Sequence, residues 1–211
     1  MICLSISSLG ELRHLAGAEV DLVELRLDLI GTDPVEIFPV IPDGWKSIAT
    51  CRPGSLDETV RLSWLKSAMK LGASMVDVEI EAGESYFEEL RSHAGKNDVE
   101  MIVSYHRFDT TPGRDVLGEM FQRCFERGGD IAKIATQVNT RDDLLNLLSL
   151  YQLPGRKVIL GMGPLGRITR VIAPYLGAEF TFASAGSGLE TAPGQLDFKQ
   201  LTEIYQVIDQ S

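Results

Sequence analysis

The chain has 211 residues, enough for one domain with a sizeable core. Apolar residues make up 44% and charged residues 24%, an ordinary balance for a folded protein, and no apolar run is long enough for a membrane span. The net charge of −10 argues against nucleic acid as a partner, because phosphate binding calls for clustered Lys and Arg.

The first residues, Met1–Leu12, have neither a basic segment nor a long apolar one, so no secretory signal is read and a cytoplasmic location is expected. Cys3, Cys51 and Cys124 are far apart, with no C-x-x-C spacing. A thiolate zinc site is therefore not supported, and buried, reduced thiols are expected.

Short runs rich in Val and Ile alternate with amphipathic stretches. In chain order the predicted elements are strand Ile2–Ser7, helix Leu9–Ala16, strand Asp21–Leu27, helix Pro34–Val40, strand Ser47–Arg52 and helix Glu58–Leu71. There follow strand Met75–Glu81, helix Tyr86–His93, strand Met101–His106, helix Arg114–Arg127, strand Asp130–Ala135 and helix Arg141–Leu150. Strand Lys157–Met162, helix Arg167–Tyr175, strand Glu179–Ala183 and helix Phe198–Ile208 complete the chain. Asp57 and Glu58 place negative charge at a helix start, and Gly72 and Gly128-Gly129 stand at helix ends. Asn139 or Thr140 is suited to cap the helix at Arg141. This alternation predicts an α/β fold, a single (β/α)8 TIM barrel over residues 1–211. An open doubly wound sheet is the alternative; the missing G-x-G-x-x-G after the first strand weakens its nucleotide-binding form.

Strands covered on both faces normally read as unbroken apolar runs. Here they do not. In DIAKIAT, Lys133 shares a face with Ile131 and Ala135. An unpartnered buried ammonium is costly and tends to lose its proton, and a neutral amine attacks carbonyls. The structural alternative is a lysine paired with a carboxylate. His106 closes the fifth strand on the same face as Ser104, and its ring suits proton transfer near neutral pH. Glu24 and Arg26 share a face of the second strand, and Arg52 ends the third before Pro53 turns the chain away. Asp77, Glu79 and Glu81 share a face of the fourth. Arg170 and Gln195 lie in the two glycine-rich segments after the last strands, where they are placed to hold a carboxylate. A phosphate is the competing occupant of those loops.

Taken in order, VELRLD, Thr50–Arg52, VDVEI, SYHRF, DIAKIAT, MGPLGRITR and Ala192–Gln195 resemble the type I 3-dehydroquinate dehydratase family of the shikimate pathway. The resemblance implies a (β/α)8 barrel that removes water from 3-dehydroquinate to give 3-dehydroshikimate, on the route to aromatic amino acids, without metal or cofactor. It implies that Lys133 forms a Schiff base and that His106 is the catalytic histidine. It assigns substrate contacts to Glu24, Arg26, Arg52, Arg170, Thr191 and Gln195, with Ser184–Gln195 as a closing loop. The family usually carries a glutamate four residues after the third-strand arginine; here that position is Leu56. This leaves Asp57, Glu58 and Glu79 as candidates to orient His106. The expected partner is the small-molecule substrate, with no membrane and no nucleic acid, and a homodimer is left open. Rival readings are a Schiff-base aldolase on a phosphorylated sugar and a non-catalytic binding barrel. A metal-dependent hydrolase is weaker, since His14, His93 and His106 are scattered.

Overall fold

The computed structural model describes residues 1–15, 17–54, 56–186 and 188–210. Ala16, at the end of the first expected helix, and Ser187, within the expected closing loop, lie outside the described residues. Eight strands form one sheet: β1 (Ile2–Ile6), β2 (Leu22–Arg26), β3 (Lys46–Thr50), β4 (Met75–Glu79), β5 (Glu100–Arg107), β6 (Ile131–Gln137), β7 (Lys157–Met162) and β8 (Thr181–Ser184). All neighbours are parallel, in the order β7-β6-β5-β4-β3-β2-β1-β8. The sheet curls into a nearly closed barrel, because β8 returns beside β1.

Between the strands lie α1 (Leu9–His14), α2 (Leu27–Ile30), α3 (Pro34–Ile37), α4 (Glu58–Lys70), α5 (Glu84–Asn97), α6 (Arg114–Glu126), α7 (Arg141–Leu148) and α8 (Arg167–Ile172), and α9 (Phe198–Asp209) follows β8. The expected boundaries shift for local reasons. Leu27 opens α2 instead of extending β2, and Asp28 brings a negative charge to that first turn. Pro174 lacks the N–H to continue α8, so the expected helix to Tyr175 ends in a 3₁₀ turn, Pro174–Leu176. The fourth strand stops at Glu79, where Ala82 N–H bonds back to the Glu79 carbonyl and makes a turn. Thr140 caps α7 in a reciprocal box with Asp143.

Two apolar layers hold the barrel. Outside, Val23, Leu25, Val76, Val78, Val103 and Ile134 pack against helix residues such as Leu65, Phe87 and Phe121. Inside, Cys3, Leu22, Ile48, Met75, Ile102, Ile131, Val158 and Phe180 fill the lower barrel. The strand period of two then lifts the next inward residue towards the mouth. Two places on stand Ser5, Glu24, Thr50, Asp77, Ser104 and Lys133, all buried and all polar, with Leu160 and Phe182 on the last two strands. The same alternation that builds the core therefore delivers the functional groups to its roof.

The barrel has a seam. Among the described residues β7 and β8 share no ladder. At the bottom, Glu179 N–H donates to the Lys157 carbonyl at 3.0 Å. At the top, the chain beyond β8 folds back over the gap: Ser184 N–H donates to the Leu196 carbonyl (2.9 Å), and Gly163 N–H to the Pro193 carbonyl (3.2 Å). Helix α8 presses against β7 where Gly161 meets Gly166; a Cβ on Gly166 would stand 2.4 Å from the Gly161 carbonyl carbon. Gly166→Ala is therefore expected to force α8 outward and to cost roughly 1–3 kcal/mol of stability, read as a lower urea midpoint with an unchanged slope.

Candidate active site

The mouth of the barrel opens into a cavity of about 550 Å³ whose wall includes Glu24, Arg26, Arg52, His106, Lys133 and Arg170. Thr191 and Gln195 also line it, so the residues assigned from sequence to catalysis and substrate contact are brought together there, while Asp57 and Glu58 are not among its lining. Volumes of this order suit small-molecule sites.

Lys133 is buried, but it is not alone among apolar neighbours as the sequence suggested. Its Nζ donates to Asp77 Oδ2 at 2.8 Å and Glu24 Oε1 at 3.4 Å, and it lies 4.3 Å from the centre of the Phe182 ring. Both carboxylates are themselves held. Glu24 accepts from Ser5 Oγ (3.0 Å) and Thr50 Oγ1 (3.0 Å). Asp77 accepts from Ser104 Oγ (2.6 Å) and Arg52 (2.9 Å). Burial alone would raise both carboxyls. Lys133 and the nearby arginines outweigh it, so Glu24 is lowered and Asp77 lies well below the usual range.

Arg52 donates to Glu79 (2.7 Å), Ser104 (2.9 Å) and Asp77 (2.9 Å). Burial works against its charge, but Asp77, Glu79 and Glu24 outweigh it, and the guanidinium is held firmly protonated. Arg61 on α4 takes the second oxygen of Glu79 at 3.3 Å and caps the Cys51 carbonyl at 2.9 Å. Arg26 is engaged in a bidentate pair with Asp28 (3.1 and 2.6 Å). Sequence reasoning did not single out Ser5, Arg61 or Phe182. Ser5 was detectable, because it shares a strand face with Cys3. Arg61 was not, because an arginine on an amphipathic helix reads as an ordinary surface charge.

Arg170 comes from outside the barrel. Its helix flanks the seam, and its side chain lies on the cavity wall, only 2% exposed, donating to the Phe182 carbonyl at 3.4 Å. Its Nε has no partner among the described residues. Burial lowers its pKa to about 10, against the pull of Glu24. A buried guanidinium with an unmet N–H is a receptor for an anion.

Gln195 Nε2 donates to Ser5 Oγ (3.3 Å), and its Oε1 accepts from the Thr191 N–H (2.8 Å) and hydroxyl (3.3 Å). The loop is docked backbone to backbone on the β7 loop: a Cβ on Gly194, at φ +78, would lie 2.6 Å from the Gly163 carbonyl oxygen. The amides of Gly163 and Gly166 are spent on the Pro193 and Gly163 carbonyls. They are not free to cradle a phosphate, which counts against the phosphosugar reading.

His106 lies near its parallel stacking neighbour Phe108, at 6.0 Å between centres. Burial, then Arg52 and Lys133, lower the imidazole well below its ordinary value, so the ring is neutral near pH 7. The expected candidates for its orienting carboxylate are engaged elsewhere or, like Glu58, lie off the cavity wall. Asp57 caps α4, Glu58 is exposed, Glu79 serves Arg52 and Arg61, and Leu56 packs on the core.

A scan against protein families matches residues 5–211 to the model described as Type I 3-dehydroquinase. The chain belongs to that family. As a member it is a hydro-lyase that dehydrates 3-dehydroquinate in the shikimate pathway. It is 33% identical to 3-dehydroquinate dehydratase of Methanocaldococcus jannaschii, over 99% of either chain. The crystal structure of 3-dehydroquinate dehydratase from Aquifex aeolicus superposes with a TM-score of 0.86 at 25% identity, covering 98% of both chains. That of the type I enzyme from Clostridium difficile gives 0.87 at 24% identity, over 99% of this chain and 92% of that one, a likeness of fold.

The lowered His106 pKa has a testable sign. A neutral ring can take a proton and a charged one cannot, so with His106 as the proton acceptor kcat/KM falls where the ring becomes charged. The acid limb of the enzyme's pH profile is expected below pH 6.5, the ordinary histidine value. An acid limb above 6.5 would contradict the burial of the neutral ring.

Proposed function

We infer that this dehydration runs through a covalent imine on Lys133, with His106 as the proton carrier. The reading rests on one observation. A buried amine, a neutral imidazole and a buried guanidinium lacking one hydrogen-bond partner face a single cavity.

The Lys133 amine attacks the C3 carbonyl carbon, water leaves, and a protonated imine remains. The proton the amine sheds before it attacks returns to the carbonyl oxygen, which leaves as that water, so ammonium and ketone become iminium and water with no net proton to place. The iminium withdraws electrons from the adjacent carbon, which makes the C2 proton removable. His106 takes that proton, the C2 electron pair forms the enamine, and the C1–O bond breaks. The imidazolium returns its proton to the departing hydroxyl, which leaves as water. Hydrolysis of the imine frees the product and the lysine.

Arg170 receives the substrate carboxylate on its unpartnered side, and Gln195, fixed by Thr191 and Ser5, closes over it. Glu24, Arg26 and Arg52 meet the ring hydroxyls. Asp77 serves by holding the Lys133 amine at 2.8 Å. The docked loop keeps bulk water from the iminium, so positioning and water exclusion act together. The same reading places the enzyme in the cytoplasm and without a nucleic-acid partner. Buried free cysteines and the net charge of −10 support these two points. Among the described residues no helix is long and apolar enough to cross a membrane.

Borohydride added with 3-dehydroquinate is expected to leave a reduced adduct on Lys133, located by peptide mass spectrometry. Full dehydratase activity in Lys133→Ala, with no adduct in the wild type, would sink the imine route. His106→Ala is expected to keep trapping but to lose at least roughly 100-fold in kcat; wild-type turnover would remove His106 from proton transfer. Arg170→Ala is expected to raise KM by about 10- to 100-fold, as loss of a charge-assisted contact does. An unchanged KM would place the carboxylate elsewhere.

A further inference from the structure

Two chemically active groups on the cavity wall have no hydrogen-bond or ion-pair partner in another residue among those described: the His106 ring and the Glu81 carboxylate. The other carboxylates of the cavity are committed. Glu24 is held by Ser5, Thr50 and Lys133, and Asp77 by Arg52, Ser104 and Lys133. Glu79 is held by Arg52 and Arg61.

Strand register pairs the two segments of chain as far as Glu79 and Ser104, from which both run on to the same mouth. Glu79 stands opposite Ser104, and Ile80 N–H still donates to the Ser104 carbonyl at 2.8 Å. Glu81 follows Glu79 by two places, as His106 follows Ser104 by two. The turn closed by Ala82 N–H and the Glu79 carbonyl leaves Glu81 at the rim, open to solvent and also lining the cavity.

The chemistry of the ring explains why a further carboxylate is needed. The neutral ring sits among positive charge: Arg26 from β2, Arg52 beyond β3 and Lys133 from β6, against Asp77 from β4. Lys133 stays positive as the iminium. When the ring takes the C2 proton, it becomes a second cation beside it. Asp77 is already shared between Arg52 and Lys133. Glu81 has Glu79, Arg123 and Arg52 as its charged neighbours and forms no ion pair with any of them among the described residues.

We propose that Glu81 is the positioning carboxylate of His106: it accepts a hydrogen bond from the ring and holds the imidazolium aimed at the departing hydroxyl. Glu81 exchanges no proton with the substrate. The C2–H bond breaks towards His106, its electron pair forms the enamine, and the same proton leaves with the hydroxyl as water. The proposal relies on the imine reading for the identity of that proton, but the pairing of ring and carboxylate stands apart from it.

The test compares the wild type with Glu81→Gln, Glu81→Asp and Glu58→Gln, the last removing an exposed carboxylate outside the cavity. Glu81→Gln is expected to lower kcat by roughly 10- to 100-fold, with borohydride trapping at Lys133 retained. The His106 ring, followed by NMR in the substrate-free enzyme, is expected to titrate about one pH unit or more lower. Glu81→Asp is expected to recover part of both effects, and Glu58→Gln to match the wild type. An unchanged kcat in Glu81→Gln overturns the proposal, and so does a fall in kcat with an unshifted ring titration. Failure of the wild type to trap an adduct strikes the imine reading alone, because the titration still decides the pair.

Discussion

An ammonium is costly to carry inside a barrel unless negative charge is built around it, and the upper half of this barrel is organised by that requirement. Asp77 and Glu24 meet Lys133 directly. Each then needs donors of its own, which Ser5, Thr50, Ser104 and Arg52 supply. Arg52 in turn draws in Glu79, and Glu79 draws in Arg61 from a helix outside the sheet. The chain of obligations ends only at the Cys51 carbonyl. Such networks contribute little net stability, because desolvation offsets the attraction, but removing one member leaves the rest exposed to the full penalty. Their return is placement: the Lys133 amine is fixed by groups that are themselves held.

The stability that tolerates this arrangement comes from lower down and from outside. The lower barrel is filled by Ile48, Ile102, Ile131, Val158 and Phe180, and the outer faces pack on the helices. One period of two residues serves both purposes. A slip of one residue in any of the first six strands would turn its polar inward residue outward and its apolar residues inward at the mouth. The apolar layer therefore fixes the register on which the charged layer depends.

Much of this was legible in the sequence because alternation is a local property. Lys133, His106, Glu24 and Arg52 stood out as polar residues on faces that should be apolar, and the structure gathers them. Glu81 was assigned by alternation to the face of Asp77 and Glu79; a turn after Glu79 then moved it to the rim without taking it from the cavity. What was not legible is what depends on closure. Periodicity does not say that β7 and β8 stay apart, so it does not say that an arginine from α8 reaches the interior. Nor does it pair partners distant in sequence: Lys133 read as isolated because Asp77 lies 56 positions away. Helix ends moved where a single residue overrode the pattern, as Pro174 did.

An open sheet has two edges and a closed one has none. Here the two edges are spliced by three things: a bond at the base, an arginine through the wall and a folded-back strap of chain at the top. Arg170, buried in that splice with one N–H unpartnered among the described residues, lines the ring from within. Each of the three joins the same two edges, so loosening any one of them loosens the hoop at that height.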